Sequence, residues 1–470
     1  MVNVQAARKY AGDVRSSPSC DVIAFACLRG IPNGSERIMA SMFERFASPG
    51  KGNGLRATTA IKSGKLLFSS EPLASCVSTK VAKDVCHRCF VRRETLLRCS
   101  QCKMARYCNI TCQKQAWADH KKECKCLRSI LPRVPTDSVR LAARVIFTLL
   151  NLEKSRNEEL YSLDEHESHL SCMSEQKKQG LSQLASMLEL YIKQEVPEIA
   201  PAIKSFLPES CRQPLDLIAK VTCNCFTISD EELQETGVGL YPSLSLLNHD
   251  CRPNCVMVFE GTKLHLRAVR DIQTAEELTI SYIETLSLTE QRQKQLEEQY
   301  HFTCRCQKCD SQDTDTLMQS GEQATWHTFM EALPKLEGLK AASDWRTLLE
   351  RCTRLLSTEG SDVPDENLFK LRLTDMALDS AIHLGRWEEA IRHGEKTLPV
   401  YRRYYPDPHP VHGIQLMRVA KLQHYLERIK DALDTFKQAF EILKITHGID
   451  HNLVAGLLLK MEECQFEMDQ

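Results

Sequence analysis

The chain has 470 residues, which is long enough for two to four domains with substantial cores. No apolar run of about 18 residues is present, so the sequence excludes a membrane-spanning helix, and we predict a protein of the cytoplasm and nucleus. The formal net charge is −1, and there are 22 cysteines, a number that in a reducing compartment indicates bound metal rather than disulfides.

The first recognisable pattern begins near residue 46, and we predict that residues 1–45 are a disordered extension. Residues 47–53 (ASPGKGN) form a Gly-rich loop. Leu55 to Ile61 then alternate between apolar and polar residues, and a Lys-Ser-Gly turn at 62–64 leads to Leu66–Phe68. This arrangement predicts a β-hairpin. A dinucleotide-binding loop is disfavoured because that motif needs a helix directly after the glycines.

The next segment, residues 86–124, has the ligand spacing of a zinc module. It reads CHRCFVRRETLLRCSQCKMARYCNITCQKQAWADHKKEC and has two Cys-x2-Cys pairs. Structural zinc takes four Cys or His ligands, so eight ligands suffice for two ions. Because the segment has few apolar residues, metal binding would supply its folding free energy. The predicted ligands are Cys86, Cys89, Cys99, Cys102, Cys108, Cys112, His120 and Cys124.

The same region is basic. From Lys80 to Arg133 there are 14 Lys and Arg against 4 Asp and Glu, a formal charge of +10, and zinc–thiolate ligation would lower this to about +7. Such a surface suits an acidic protein partner or a weak nucleic-acid contact. The alternative is a solvated cationic face.

A second cysteine cluster follows a helical stretch and several short strands. Residues 304–309 read CRCQKC, which gives three ligands (Cys304, Cys306 and Cys309) and leaves a structural zinc site one ligand short. The segment SLLNHDCRPNCVMV at 245–258 offers Cys251 and Cys255. Cys255 precedes Val-Met-Val and reads as the start of a strand, so Cys251 is the favoured fourth ligand.

From residue 321 the chain is helical and contains a repeat. Trp387-Glu-Glu-Ala matches Ile429-Lys-Asp-Ala at an offset of 42 residues, and the same offset places His409 on His451. This pattern predicts tetratricopeptide-like (TPR-like) helix pairs. The alternative is a coincidence between two amphipathic helices.

Three motifs resemble those of the SET-domain lysine methyltransferases. They are Asn248-His-Asp-Cys-Arg-Pro-Asn254, Glu276-Glu-Leu-Thr-Ile-Ser-Tyr282 and Gly52-Asn-Gly-Leu55. Together with the zinc module, which resembles a MYND finger, they make residues 46–470 similar to the SET and MYND domain family. The chain departs from the family pattern at Lys51, where Arg is usual, and at Ala275, where Gly is usual. It also has His169 at a position where the family has Asn.

The resemblance implies an α+β fold, in which a mainly-β SET core is split by a zinc-bound MYND finger. A zinc-bound post-SET segment and a C-terminal α-helical TPR-like domain follow. The predicted domains are 1–45 (extension), 46–85 (SET, N-terminal part), 86–124 (MYND finger), 125–215 (helical insertion), 216–285 (core SET), 286–312 (post-SET) and 313–470 (TPR-like).

The resemblance also implies methyl transfer from S-adenosylmethionine to a lysine amine of a histone or a signalling protein. Tyr282 would be catalytic, and Phe226 and Tyr300 would line the lysine channel. The cofactor-binding residues implied are Lys51, Gly52, Asn53, Tyr161, Glu167, His169, Asn224, Asn248, His249, Tyr282 and Phe302. The other hypothesis is a catalytically weak scaffold that recruits proteins through the finger and the helical repeats.

Three zinc ions are expected from the same resemblance. In the family the finger ligands interleave, so that the first Cys pair joins Cys108 and Cys112, and the second joins His120 and Cys124. The third ion would use Cys251 with the 304–309 cluster and would hold Tyr300 and Phe302 in place.

Overall fold

The computed structural model of the chain describes residues 42–151, 160–193, 208–358, 362–405 and 408–470. They form a mixed α/β unit (Met42–Ile283 and Glu290–Cys306) and a helical unit (Glu284–Thr289 and Gln307–Gln470). Residues 1–41 of the predicted extension 1–45 lie outside the described residues. Its last three residues, however, belong to the first strand. Among the described residues, no helix has the length and apolar character needed to cross a membrane.

The strands of the mixed unit form small sheets. In chain order they are β1 (Phe43–Ser48), β2 (Gly52–Ala57), β3 (Leu66–Ser70), β4 (Ala74–Val77), β5 (Leu97–Arg98), β6 (Arg106–Tyr107), β7 (Cys225–Ser229), β8 (Glu235–Leu240), β9 (Asn248–His249), β10 (Cys255–Glu260), β11 (Lys263–Ala268) and β12 (Thr279–Ile280). The sheet orders are β1-β2, β10-β11-β3, β12-β9, β4-β8-β7 and β5-β6. Only the β9–β12 pair is parallel among these described ladders.

The predicted hairpin between Leu55–Ile61 and Leu66–Phe68 is wrong. β2 pairs with β1, with Ser48 opposite Gly52, and β3 pairs with β11, with Leu266 opposite Phe68. The turn at 62–64 does form. The error arises because alternation reports which faces of a strand are buried, whereas the pairing partner is set by distant residues.

The mixed unit also contains helices, several of which lie in the predicted insertion. They are α1 (Ile110–Ile130), α2 (Asp137–Asn151), α3 (Glu175–Ile192), α4 (Glu209–Arg212), α5 (Pro214–Asn224) and α6 (Thr289–Tyr300). Asn109 caps α1 by accepting a hydrogen bond from the Cys112 N–H at 2.9 Å. Pro214 begins α5, where its missing N–H removes no helical hydrogen bond. Buried side chains of α2, α3 and α5 share one core with the finger cysteines.

The segment from Ala275 to Tyr282 lies between β2 and β9. The Leu278 N–H donates to the Leu55 carbonyl at 2.8 Å, and Ile280 lies opposite His249 in the parallel pair. Asn254 is 1% exposed, and its amide bridges the two sides by donating to the Glu277 carbonyl at 2.7 Å and accepting from the Thr279 N–H at 2.8 Å. These contacts bring the glycine loop, the Asn-His segment and the strand before Tyr282 into one place.

Ala275 has a positive φ of 66° and therefore carries backbone strain. A left-handed conformation costs a non-glycine residue about 1–2 kcal/mol, whereas the extra flexibility of glycine in the unfolded chain costs roughly 0.4–1 kcal/mol. We therefore expect Ala275→Gly to raise the free energy of unfolding by about 0.5–1 kcal/mol, measured by urea denaturation. Ala82→Gly, at a φ of −60°, is the matched control and should destabilise the protein. Destabilisation by both changes would contradict the strain at Ala275.

The helical unit consists of stacked helices. They are α7 (Gln307–Ser311), α8 (Asp315–Met318), α9 (Gln323–Ala341), α10 (Trp345–Thr358), α11 (Leu368–His383), α12 (Trp387–Tyr404), α13 (Pro410–Tyr425), α14 (Ile429–Thr446) and α15 (Asn452–Met468). The predicted 42-residue repeat is confirmed, since α12 and α14 begin and end 42 residues apart. The first helices of successive pairs, α11, α13 and α15, also begin at this spacing.

The repeat extends to turns and caps. Ser343, Gly385 and Glu427 lie 42 residues apart, each before the second helix of a pair, and all have positive φ (57°, 69° and 60°). His409 and His451 cap α13 and α15, because each Nδ1 accepts the backbone N–H two residues ahead, at 3.3 and 3.1 Å. The match between these histidines is therefore a shared capping contact.

Candidate active site

Tyr282 follows β12 and is held at two points. Its N–H donates to His249 Nδ1 at 3.0 Å, and its hydroxyl donates to the Leu247 carbonyl at 2.5 Å. Burial raises the pKa of Tyr282 above its usual value, so the phenol stays protonated at neutral pH. Tyr282 is therefore a fixed hydrogen-bonding group and not a base.

Three rings surround Tyr282. The ring centroid of Tyr300 is 4.9 Å away, that of His249 is 5.3 Å away, and that of Phe302 is 6.3 Å away at an interplanar angle of 89°. Burial raises the pKa of Tyr300 to about 12 and lowers the pKa of His249 to about 4, so this group of rings carries no charge at neutral pH. Phe226 packs edge-on against Tyr241 at 5.6 Å and joins the same core as Tyr282.

The glycine loop meets the Asn-His segment at Glu277. One carboxylate oxygen of Glu277 accepts from Lys51 Nζ at 2.9 Å, and the other accepts from Asn248 Nδ2 at 2.8 Å. Asn248 Nδ2 also donates to the Asn53 carbonyl at 3.1 Å. Although burial opposes ionisation, hydrogen bonds from Lys51 and Asn248 hold the pKa of Glu277 below its usual value.

Glu277 belongs to the Glu276–Tyr282 motif but was not among the predicted site residues. Lys51, one of the predicted cofactor-binding residues, forms an ion pair with Glu277. Gly54 packs closely here, because a Cβ at this position would lie 2.9 Å from Asn248 Nδ2 and from Glu277 Oε1 and would displace these two side-chain ends. The close packing of these three residues fixes the shape of the glycine loop.

The segment 160–169 carries the remaining predicted cofactor residues. Tyr161 stacks on His166 at 4.5 Å, and its hydroxyl donates to the Glu165 carbonyl at 2.7 Å. Asn224 Nδ2 donates to the Glu167 carbonyl at 2.9 Å, so Asn224 fixes the backbone of this segment to the end of α5. Gly52 starts β2 with a φ of 82°, which favours glycine.

Arg45, which was not among the predicted site residues, connects Asn53 to the 160–165 segment. Its Nε donates to Asn53 Oδ1 at 3.3 Å, and its Nη1 donates to the Leu160 carbonyl at 3.2 Å and to Glu165 Oε1 at 2.8 Å. The guanidinium also lies over the Tyr161 ring at 5.1 Å. Arg45 lies in none of the family motifs. The only signal for a role of Arg45 in the site is its position opposite Leu55 in the β1–β2 pair.

We expect Arg45→Ala to weaken S-adenosylmethionine binding about threefold to tenfold, because Asn53 and Tyr161 lose a shared contact that is partly exposed and therefore screened. Isothermal titration calorimetry measures the effect. Arg56→Ala is the matched control, since Arg56 lies on the neighbouring strand and its side chain pairs with Glu44 at 2.7 Å. Equal losses of affinity in both variants would show that Arg45 has no specific role.

His169 lies beside the post-SET segment, with its ring centroid 5.4 Å from that of His301. Its φ is 55°, a left-handed value that Asn adopts as readily as His. We expect His169→Asn to bind S-adenosylmethionine as tightly as the natural chain, or more tightly, because Asn is smaller and cannot become charged. A fall in affinity of more than about threefold in a calorimetric titration would contradict this expectation.

The predicted zinc ligands come together in three groups of four. Within each group the ligand atoms lie within 4.8 Å of one another; the groups are Cys86, Cys89, Cys108 and Cys112; Cys99, Cys102, His120 and Cys124; and Cys251, Cys304, Cys306 and Cys309. Tetrahedral zinc with bonds of about 2.3 Å places its sulfurs about 3.8 Å apart. The Sγ atoms of Cys89 and Cys108 are 3.6 Å apart, and those of Cys99 and Cys124 are 3.8 Å apart. The donor atoms therefore fit zinc.

Comparisons with known proteins agree with these features. A SET domain model matches residues 52–283, and a tetratricopeptide repeat model matches residues 376–445. Human "Histone-lysine N-methyltransferase SMYD3" is 45% identical over 90% of this chain and 97% of that protein. Xenopus laevis "N-lysine methyltransferase SMYD2-B" is 33% identical over 89% of this chain and 98% of that protein.

A solved structure, "Crystal structure of the SET domain of LSMT bound to Lysine and AdoHcy", aligns over 91% of this chain and 87% of its own at 12% identity and a TM-score of 0.31. The near-complete matches to SMYD3 and SMYD2 confirm the resemblance seen in the motifs. The chain belongs to the SET and MYND domain (SMYD) family of lysine methyltransferases.

Proposed function

We propose that this chain is a protein-lysine N-methyltransferase that uses S-adenosylmethionine. The observation that carries the proposal is the position of Tyr282, held by its own N–H and hydroxyl and enclosed by Tyr300, Phe302 and His249. Bound S-adenosylmethionine would supply the methyl group. Asn53, Asn248 and His249 lie on the segments that would hold this cofactor, and Phe302 would stack on its adenine.

The hydroxyl of Tyr282 has a definite task in this reaction. A tyrosine hydroxyl has one donor and two acceptor positions, and the donor is used by the Leu247 carbonyl. The oxygen is thus left as an acceptor for an N–H of the incoming lysine. This contact would orient the nitrogen lone pair for in-line attack, and positioning of this kind supplies much of the rate enhancement when little acid–base chemistry is needed.

The lysine must react as a neutral amine, although a free lysine has a pKa near 10.4. Tyr282 stays protonated and cannot remove the proton. An apolar channel lined by Phe226 and Tyr300 would disfavour the ammonium and lower the lysine pKa, so that the proton is released to water. We therefore assign the channel, and no side-chain base, to deprotonation.

We further propose that the chain binds three zinc ions, one in each four-ligand group, and that its substrates are lysine-containing proteins such as histones or signalling proteins. The substrate proposal rests on the names of the SMYD3 and SMYD2 relatives. The finger and the repeats would recruit protein partners, and the basic finger would make at most a weak nucleic-acid contact.

Mass spectrometry tests the activity directly. The protein is incubated with S-adenosylmethionine and a panel of histones and cytoplasmic proteins, and peptides are searched for mono-, di- and trimethylated lysine. Methylation by the natural chain that is lost in Tyr282→Phe would support the proposal. Absence of both methylation and S-adenosylmethionine binding would favour the scaffold hypothesis.

A further inference from the structure

A buried carboxylate connects the finger to the SET core. Glu123 on α1 is 0% exposed. Its Oε1 accepts from Arg140 Nε at 3.0 Å, and its Oε2 accepts from Arg144 Nε at 3.0 Å and Nη2 at 2.7 Å. Both oxygens of this carboxylate therefore face guanidinium groups, an arrangement that pairs an ionised Glu123 with Arg140 and Arg144.

The third neighbour of Glu123 is a predicted zinc ligand, His120. His120 is 2% exposed, and its Nε2 lies 3.5 Å from Cys102 Sγ inside the second group of ligands. Its other nitrogen, Nδ1, is buried without a hydrogen-bond partner and lies 3.7 Å from Glu123 Oε2. Zinc-bound histidines commonly direct their second N–H to a carboxylate, which fixes the tautomer and the ring orientation. Glu123 is the carboxylate that lies beside this nitrogen, slightly beyond hydrogen-bond distance.

The two arginines continue the connection to a strand of the core. Arg140 Nη1 donates to the Val77 carbonyl and Arg144 Nη1 donates to the Ser75 carbonyl, both at 2.8 Å. Both carbonyls belong to β4, which pairs with β8, and β8 pairs with β7, where Phe226 lies opposite Gly239. Three contacts therefore connect His120 to this sheet: His120 to Glu123, Glu123 to the two arginines, and the arginines to β4. The same sheet contains Phe226, which is predicted to line the lysine channel.

Bound zinc would add negative charge beside the two arginines. Zinc with three thiolates and one neutral imidazole carries −1. Glu123 contributes another −1, and buried Arg140 and partly buried Arg144 contribute +2. Asp137 contributes a further negative charge, partly screened by water, because it lies 3.9 Å from Arg140 Nη1 and is 24% exposed. Loss of zinc with protonation of the thiols would remove the negative charge of the zinc site from beside Glu123 and its arginines.

We propose that Glu123 is the positioning residue of the Cys99, Cys102, His120 and Cys124 zinc site. Through Arg140 and Arg144, it makes this ion a structural support of the β4-β8-β7 sheet. The inference rests on the proposed zinc content. It assigns the finger a second role, because the finger then stabilises the core in addition to presenting a surface to partners.

Zinc release from the full-length protein tests the proposal. Glu123→Gln keeps the size of the side chain and removes its charge. We expect this variant to lose one of its three zinc ions to a chelator at least about tenfold faster than the natural chain. Hydrogen exchange should also accelerate at the amides of β4 and β8. Asp119→Asn is the matched control, since Asp119 is an exposed carboxylate on the same helix.

The possible results separate the two proposals. Fewer than three zinc ions in the natural chain would contradict the proposed zinc content. Three ions, with equal release rates in Glu123→Gln and the natural chain, would overturn only the role of Glu123. If Glu123→Gln does not fold, zinc is removed from the finger of the natural chain instead. Hydrogen exchange in β4 should then rise, and unchanged exchange there would refute the connection.

Discussion

Replacing Tyr282 with Phe is expected to reduce the rate of methyl transfer about 100-fold and to leave S-adenosylmethionine affinity nearly unchanged. The change removes the hydroxyl that donates to the Leu247 carbonyl and would accept from the lysine amine. The ring contacts with His249, Tyr300 and Phe302 remain. Single-turnover kinetics with radiolabelled cofactor would measure the chemical step, and calorimetry would measure binding.

Tyr404→Phe is the matched control for Tyr282→Phe. Tyr404 is also buried and donates its hydroxyl to a backbone carbonyl, that of Glu366, but it belongs to the helical unit. It should lower stability slightly and leave the chemical step unchanged. A rate loss in Tyr282→Phe no larger than that in Tyr404→Phe would mean that the Tyr282 hydroxyl does not contact the reacting amine.

Removal of the third zinc ion is the second change with a large expected effect. In Cys251→Ser we expect zinc content to fall by one ion per chain and S-adenosylmethionine affinity to fall at least about tenfold. The physical reason is that Tyr300 and Phe302 lie shortly before Cys304 in the chain. The backbone carbonyl and N–H of Cys304 are both hydrogen-bonded to the Gln293 side chain. The amide of Gln293 donates to the Cys304 carbonyl at 2.6 Å and accepts from its N–H at 2.8 Å. Zinc would hold this segment against Cys251.

Cys255→Ser provides the control for zinc removal. Cys255 is buried at the start of β10, four residues from Cys251, and lies outside the ligand group. It should retain three zinc ions. Emission spectrometry counts the zinc, and calorimetry measures cofactor affinity. If the Cys255 variant lost the ion and the Cys251 variant kept it, our ligand assignment would be wrong.

The sequence was most informative where chemistry imposes a fixed spacing. Zinc coordination requires particular ligands at short separations, and the ligands predicted from Cys86 to Cys124 lie together in two groups. The 42-residue repeat was also readable, because each helix pair must present the same buried face to its neighbours. Both signals depend on local geometry that recurs along the chain.

Contacts between distant segments were less predictable. Lys51 and Glu277 are 226 residues apart, and neither residue reveals the other by its type. Arg45 was missed for the same reason, since its partners Leu160 and Glu165 lie on the far side of the finger in the sequence. The strain at Ala275 depends on a φ value that the replacement of a family glycine suggests but does not determine.

The parallel pairing of β9 with β12, and the bonds from β2 to Leu278, have a consequence for the order of events during synthesis. The glycine loop leaves the ribosome early, yet its partners around Glu277 emerge more than 200 residues later. The finger, in contrast, contains all its own ligands and can fold as soon as zinc is available. We therefore expect the finger of a nascent chain to fold first and the catalytic pocket to form last. Until then, β1 and β2 would lack their contacts with the segment around Glu277 and could bind chaperones.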